Sequence, residues 1–207
     1  MARKRDFLPE SEVIVHAWNE GVRQEQIFRS NEDYELFLHL LLVARTLTGV
    51  SILFYDLTPY RFELVLLQHQ PYTLSAFMKY VCNNYSRLIN QNLGRRGHSF
   101  LRRYFGQSVR EPAELLLLSY NVHVMAVDKG LVGTPEAWPY SSCPGYLDSG
   151  GASVVDHSLV CRLVGGREKY RAFLQEFNHA DPGSVYDFLC PDADRIWSER
   201  RRIAPHP

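Results

Sequence analysis

The succession of short segments in the first half of the sequence constrains the fold of this chain most strongly. A β-branched run at residues 13–18 predicts a strand, and an amphipathic helix with apolar residues at i, i+3, i+4 and i+7 begins at Ser30 or Asn31. Two further apolar runs, at residues 50–57 and 62–67, predict strands that a Thr-Pro-Tyr turn joins in a hairpin. The chain therefore begins with strand, helix, strand and strand.

A second helix and a fourth strand complete this succession. The helix begins at Thr73 or Ser75 and ends near Asn92, where a stretch rich in Asn and Gly follows. Residues 100–109 predict the fourth strand. The resulting order, βαββαβ, is that of the split βαβ, or ferredoxin-like, fold. We therefore expect an α+β protein whose core is a four-stranded antiparallel sheet with its helices on one face.

A further helix extends the chain beyond this core. Pro112 opens that helix and Gly130 is placed to end it, because Pro is favoured in the first turn and Gly after the last. We predict a ferredoxin-like domain over residues 1–134. A C-terminal helical extension over residues 135–207 follows, with a loosely packed tail from Asp181.

The charge of the chain is balanced overall but unevenly distributed. Lys and Arg number 23, as do Asp and Glu, yet residues 64–110 contain no acidic residue. The cations of that segment are Lys79, Arg87, Arg95, Arg96, Arg102, Arg103 and Arg110. A segment of one sign creates a local positive field that attracts phosphates. The alternative is a solvated face whose acidic partners come from other segments.

Two absences from the sequence narrow the class of protein. No apolar run approaches the roughly 20 residues that a membrane-spanning helix needs. The four cysteines lie far apart without a Cys-x-x-Cys pair, which argues against a disulfide framework and against a zinc site. We therefore expect a cytoplasmic protein with reduced thiols and no membrane partner.

Four short motifs follow one another along the chain in an order that favours one family. They are Tyr85-Ser86-Arg87-Leu88-Ile89-Asn90, Arg96-Gly97-His98-Ser99-Phe100, Gly130-Leu131-Val132 and Trp138-Pro139-Tyr140-Ser141-Ser142. Within residues 12–178, their order and spacing resemble the REP-associated tyrosine transposase branch of the IS200-like, HUH-type transposases. This resemblance agrees with the ferredoxin-like order of the segments.

The resemblance implies a chemistry of cutting and joining single-stranded DNA. In the family, a tyrosine attacks a phosphodiester that a divalent metal polarises, and a His-x-His pair on a strand holds the metal. Aligned on this sequence, the two histidine positions fall on Arg61 and Glu63. The tyrosine position falls on Asn121 and that of the third metal ligand on Met125. A cation at Arg61 would repel a metal ion.

These replacements predict a transposase-like DNA-binding protein that has lost strand cleavage and needs no cofactor. Two alternatives stay open. The first is an active transposase that uses Tyr120 as a shifted nucleophile and Mg²⁺ or Mn²⁺ as its metal. One residue along a helix is a turn of about 100°, however, so Tyr120 would point away from the position of Asn121. The second alternative is a protein-interaction module on a reused scaffold.

The DNA-binding residues are predicted to lie in and around the acid-free segment. The candidate residues are Arg87, Arg95, Arg96, His98, Arg102, Arg103 and Tyr104. Arginines would contact phosphates, and the rings would stack on unpaired bases. We expect single-stranded or hairpin DNA as the partner and a location at the nucleoid; monomer and dimer are both compatible with the sequence.

Four aromatic or histidine positions can be interpreted as structural residues. Phe100 and Tyr104 could be core residues of the fourth strand rather than stacking surfaces. His16 has no charged neighbour in the sequence and is interpreted as an ordinary residue of a strand face. His123 is interpreted as a structural histidine with satisfied hydrogen bonds rather than a residue of the former active site.

Overall fold

The computed structural model describes residues 9–148, 154–177 and 179–199. These residues form two compact units. The first contains the described residues up to Ile52 together with Leu57–Ser108, and the second contains Leu53–Asp56 and the described residues from Val109 onward. The domain boundary between residues 134 and 135 stays a prediction. No helix within the described ranges combines the length and apolarity that crossing a membrane requires.

The elements follow the predicted order. The strands are β1 Val13–Glu20, β2 Ser51–Thr58, β3 Arg61–Gln68 and β4 Phe105–Val109, and the main helices are α1 Asn31–Thr48, α2 Thr73–Asn92 and α3 Pro112–Asp128. Shorter helices follow as α4 Cys143–Leu147, α5 Ser158–Val164, α6 Arg167–Glu176 and α7 Ala193–Glu199. Single 3-10 turns occupy Val22–Gln24, Pro135–Ala137 and Pro182–Phe188.

The four strands form one sheet in the order β2-β3-β1-β4, which confirms the α+β, ferredoxin-like prediction. Strands β1 and β3 are antiparallel neighbours, and their register opposes Trp18 to Glu63 and Glu20 to Arg61. Successive residues of a strand point to opposite faces. Trp18, Glu20, Arg61 and Glu63 therefore share one face of the sheet.

Helices α1 and α2 pack together on the opposite face of the first unit. The ring of Phe37 on α1 lies 5.1 Å from that of Phe62 on β3 and 5.1 Å from that of Tyr85 on α2. All three side chains are fully buried. Helix α1 ends as its sequence predicts, because Gly49 adopts the left-handed conformation that helix termini favour.

The fourth strand is shorter than the predicted range of residues 100–109. The backbone before β4 contacts the end of β1, its neighbour in the sheet, only at isolated points. Phe100 forms an isolated bridge with Gly21, the Leu101 N–H donates to the Glu20 carbonyl, and the Asn19 side chain donates to the Arg102 carbonyl. Residues 101–103 form a bend, so the ladder with β1 becomes continuous only from Phe105.

In the second unit, the Ser141-Ser142 end of the Trp-Pro-Tyr-Ser-Ser segment bonds to the free edge of β2. The Ser142 N–H donates to the Tyr55 carbonyl at 2.9 Å, and the Ser142 hydroxyl accepts from the Tyr55 N–H at 2.8 Å. The Tyr146 hydroxyl on α4 donates to the Leu53 carbonyl at 2.7 Å. Covering an edge strand satisfies polar groups that would otherwise pair with another chain.

The expectation of a loosely packed tail from Asp181 is wrong for the described residues 181–199. Val185, Ile196 and Trp197 are buried, and α7 packs on α5. The Trp197 indole N–H also donates to the Arg110 carbonyl at 3.2 Å. Apolar residues at helical spacing in α7 outweigh the many Pro, Asp and Arg residues of this stretch.

Candidate nucleic-acid interface

The carboxylate of Glu63 is in contact with other side chains of the protein. Glu63 is 2% exposed and lies on the sheet face opposite α1 and α2. Its Oε1 accepts from the Nε of Arg61, and its Oε2 contacts the Nε2 of His16. Both carboxylate oxygens therefore already contact side chains of the chain itself, and the adjacent Arg61 guanidinium disfavours a second cation there.

This arrangement corrects the interpretation of His16. The residue has a charged partner, Glu63, which lies 47 positions away along the chain. Only the register of β1 against β3 brings the two together, because His16 and Trp18 alternate onto the face that carries Glu63. The sequence carries no local signal for that pairing.

The other two positions that the resemblance aligns with catalytic residues lie on α3, in the second unit. Asn121 is exposed and Met125 is half-buried, and their spacing of four residues places them on one face of the helix. Neither residue type is a carboxylate, imidazole or thiolate. Within the part of the chain that the structure describes, no group of three His, Cys, Asp or Glu side chains could hold a metal ion.

Tyr120, the shifted candidate nucleophile, is half-buried against aromatic rings of the second unit. Its ring lies 5.8 Å from that of Phe173 and 4.8 Å from that of Phe177. Partial burial raises the pKa of the Tyr120 phenol, and the nearby Asp128 carboxylate adds to the effect. An attacking tyrosine needs the reverse, since a lower pKa favours the phenolate nucleophile.

His123 is a structural residue, as its interpretation from the sequence stated. It is fully buried on α3, its Nδ1 lies 2.7 Å from the Tyr170 hydroxyl and its Nε2 lies 2.8 Å from the Ser142 hydroxyl. Burial, with a smaller contribution from His157, lowers the pKa of His123 to about 3. The imidazole is thus neutral and connects α3 to α6 and to the segment that covers β2.

The candidate arginines divide into two groups. Arg95 is neutralised, because its guanidinium pairs with Glu25 at 2.8 Å and also donates to the Asn90 side chain at 3.0 Å. The remaining candidate arginines are exposed, and none forms an ion pair with a described residue; they are Arg87, Arg96, Arg102 and Arg103. We refer to these four residues as the basic surface. His98 is also exposed.

Two half-buried aromatic rings lie beside this surface. Trp18 and Phe105 stack with centroids 5.3 Å apart and planes 6° from parallel. The Arg102 guanidinium lies 4.5 Å from the centroid of Phe105, and that of Arg61 lies 5.7 Å from Trp18. Cation–π contacts of this kind fix the direction of a flexible arginine. Sequence reasoning missed both rings, although the alternation of β1 placed Trp18 on the face of His16.

Tyr104, a predicted stacking residue, is 5% exposed, and Phe100 is 6% exposed. The ring of Phe100 packs against those of Phe62 and Tyr85 in the core. The alternative interpretation of both residues as core residues is thus the one that agrees with their burial. Neither ring is thus an exposed stacking surface.

Solved structures of transposases are similar to this chain. A REP-associated tyrosine transposase bound to a REP hairpin matches with a TM-score of 0.61 and 13% sequence identity, over 75% of this chain and 94% of the other. A candidate transposase from Deinococcus radiodurans matches with a TM-score of 0.41 and 15% identity, over 58% and 95%. No protein-family model matches the sequence, and the search of curated proteins found no significant match. This chain has the fold of the REP-associated tyrosine transposases.

Proposed function

We propose that this chain binds single-stranded or hairpin DNA through the basic surface and does not cleave it. The observation that carries the proposal is the exposure of Arg102 and Arg103, which form no ion pair with a described residue. Phosphate contacts supply most of the sequence-independent affinity of a protein for DNA. Unpaired, exposed guanidinium groups are suited to such contacts because their donors match the geometry of phosphate oxygens.

The neutral net charge of the chain is compatible with this proposal. The acid-free segment that carries the basic surface keeps negative charge away from it in the sequence, and Glu25 pairs with Arg95 and Arg29, neither of which belongs to the basic surface. A local field of this kind attracts a polyanion even when the whole protein is neutral. A protein of the same fold was solved in complex with a REP hairpin, which favours structured DNA as the ligand.

The loss of cleavage rests on different residues. Glu63 has both oxygens engaged by Arg61 and His16, so its carboxylate is not poised to bind Mg²⁺ or Mn²⁺. Tyr120 is packed against two phenylalanines and its pKa is raised. We therefore propose a cytoplasmic, nucleoid-associated binding protein that has no catalytic metal.

Binding is tested by replacing two arginines of the basic surface. We expect Arg102→Ala/Arg103→Ala to weaken binding to a labelled DNA hairpin by roughly 5- to 100-fold at low salt, because two phosphate contacts are lost. The dependence of the affinity on salt should decrease as well. The control is Lys129→Ala/Arg195→Ala, which removes the same charge from two exposed positions outside the basic surface, one just after α3 and one on α7. Equal affinity of the two double variants would overturn the basic surface as the binding site.

Loss of cleavage is tested by incubating the protein with hairpin-bearing single strands and Mg²⁺ or Mn²⁺. We expect no covalent protein–DNA adduct on a denaturing gel. An adduct that disappears in Tyr120→Phe would show that the chain is an active transposase with a shifted nucleophile, and would overturn this part of the proposal.

A further inference from the structure

A pocket of about 380 Å³ opens in the first unit beside the basic surface. It lies between α2 and the segment of residues 98–103, with Cys82 and Phe100 among its buried lining residues. The pocket is within the roughly 300–1,000 Å³ range of small-ligand sites. None of the described residues that line the pocket is acidic. The pocket therefore combines buried apolar side chains, such as Phe100, with the cationic side chains of Arg102 and Arg103.

The strongest indication of a ligand is the hydroxyl of Ser99. Ser99 lines the pocket and is 5% exposed, and its Oγ has no hydrogen-bond partner among the described residues. A buried polar group without a partner costs about 1–3 kcal/mol, so such groups in a folded protein call for an explanation. A bound ligand with a polar edge would supply the missing bond.

The wall that carries Ser99 is held in place before any ligand arrives. The Val22 N–H donates to the Ser99 carbonyl at 3.2 Å, the Leu101 N–H donates to the Glu20 carbonyl at 2.9 Å, and the Asn19 side chain donates to the Arg102 carbonyl at 2.7 Å. Preorganisation of this kind lowers the entropic cost of binding. The segment is thus built as a rigid rim rather than as a loose loop.

The residues of the rim indicate which part of a nucleic acid would enter. Arg102 and Arg103 are exposed at the mouth, where a backbone phosphate can reach them, and Leu101 is 47% exposed, although it is a large apolar side chain. An unpaired base has an apolar face and a polar edge, which match Leu101 and the Ser99 hydroxyl respectively. In a duplex, the face of a base is stacked on its neighbours and its pairing edge is bonded to the opposite base, so neither is free to enter a pocket.

We propose that this pocket holds one unpaired base of a DNA single strand, with the adjoining phosphate on Arg102 and Arg103. The inference rests on the proposed DNA binding and adds to it a site for an individual nucleotide. The Ser99 hydroxyl bonds the edge of the base, and Leu101 contacts its face. The arginines act on the backbone alone, so they position the strand without reading the base.

The experiment uses a hairpin with a single-stranded oligothymidine extension, in which each extension position in turn is made abasic. With the wild-type chain, we expect the loss of one particular base to weaken binding by roughly 5- to 100-fold, as expected when a buried base contact is removed. Asn83→Trp, at an exposed residue of α2 that lines the pocket, fills the mouth and removes this position-specific effect. Asn92→Trp, exposed at the end of the same helix and outside the pocket, preserves it.

A second variant separates a ligand contact from a structural role. Ser99→Ala removes the unpartnered hydroxyl, so we expect several-fold weaker binding of the intact extension with an unchanged or higher Tm. A fall in Tm without a change in affinity would overturn the role given to Ser99.

The outcomes distinguish the two proposals. Binding of the extension with no position-specific abasic effect would overturn the pocket inference and leave the DNA-binding function standing. Absence of binding to any of these DNA probes would overturn both.

Discussion

The Nε of Arg61 donates to the Oε1 of Glu63, so a guanidinium and a carboxylate two residues apart on β3 form an ion pair. The second carboxylate oxygen contacts His16. The Glu63 carboxylate is therefore paired with a cation of the chain itself. This pairing supports the proposal that the chain has the transposase fold without strand cleavage.

The first prediction concerns metal ions. Because both oxygens of Glu63 are engaged, Mg²⁺ or Mn²⁺ at millimolar concentration should leave the Tm of the protein unchanged. Differential scanning fluorimetry with added metal and with EDTA measures the effect. A metal-dependent rise in Tm that Glu63→Gln abolishes would contradict the closed arrangement at this site.

The second prediction concerns the stability that Arg61 contributes. Arg61→Ala leaves a carboxylate that is 2% exposed with His16 as its remaining side-chain partner. We expect the free energy of unfolding to fall by about 1–3 kcal/mol, since an underpaired buried charge costs more than the intact pair contributes. Urea denaturation measures it.

Two comparisons make this test specific. Arg61→Met/Glu63→Leu, which removes both charges, should recover most of the lost stability. Arg195→Ala, which breaks an exposed pair with Glu199 on α7, should stay within about 0.5 kcal/mol of the wild type. A loss for Arg195→Ala as large as that for Arg61→Ala would rule out burial as the cause.

The third prediction concerns pH. In the folded chain the pKa of His123 is about 3, against 6.5 for an ordinary histidine, so below pH 6.5 the unfolded chain binds a proton that the folded chain does not. The stability contribution of the neutral His123 is therefore fully present above pH 6.5. It is lost at up to roughly 1.4 kcal/mol per pH unit as the pH falls toward 3.

Chemical denaturation at pH 7.5 and pH 5.5 measures this dependence. His123→Gln should be less stable at pH 7.5 and should lose less stability between the two pH values than the wild type. His157, whose pKa is also lowered by burial, contributes a dependence of the same sign that remains in this variant. Exposed His39→Gln serves as the control and should keep the full wild-type dependence. An unchanged dependence in His123→Gln would contradict the assignment.

The fourth prediction concerns Gly21, at the end of β1. A Cβ added there would lie 1.9 Å from the backbone carbonyl oxygen of Glu25, a distance that no side-chain rotation can relieve. Gly21→Ala should therefore lower the free energy of unfolding by about 2 kcal/mol or more. Gly133→Ala, where no atom lies within 4 Å, is the matched control and should have little effect. Similar stability of the two variants would refute the close approach.

Much of the fold could be predicted because its signals are local. The helical spacing in α1 and α2, the hairpin turn between β2 and β3, and Gly49 after α1 each act over a few residues, and together they predict the βαββαβ order. The same reasoning failed at the start of β4. Its backbone groups bond to the end of β1, about 80 residues earlier, and local propensity does not register such contacts.

The candidate site was predicted less completely for the same reason. The arginines of the basic surface could be identified as candidates because the segment that contains them has no acidic residue. The contact of His16 with Glu63 and the stack of Trp18 on Phe105 depend on which strands are neighbours and in which register. The packing of the tail was missed because the apolar residues of α7 are few and separated by charged ones, so their burial depends on contacts with α5.

The most direct test of DNA binding is a titration of the wild-type protein with hairpin-bearing single-stranded DNA at two salt concentrations. If the basic surface contacts phosphates, binding is tight at low salt and falls with a slope of log K against log salt of about −2 to −4, as expected when three to four arginines each displace a counterion. No binding at low salt, or an affinity that does not change with salt, would contradict the account.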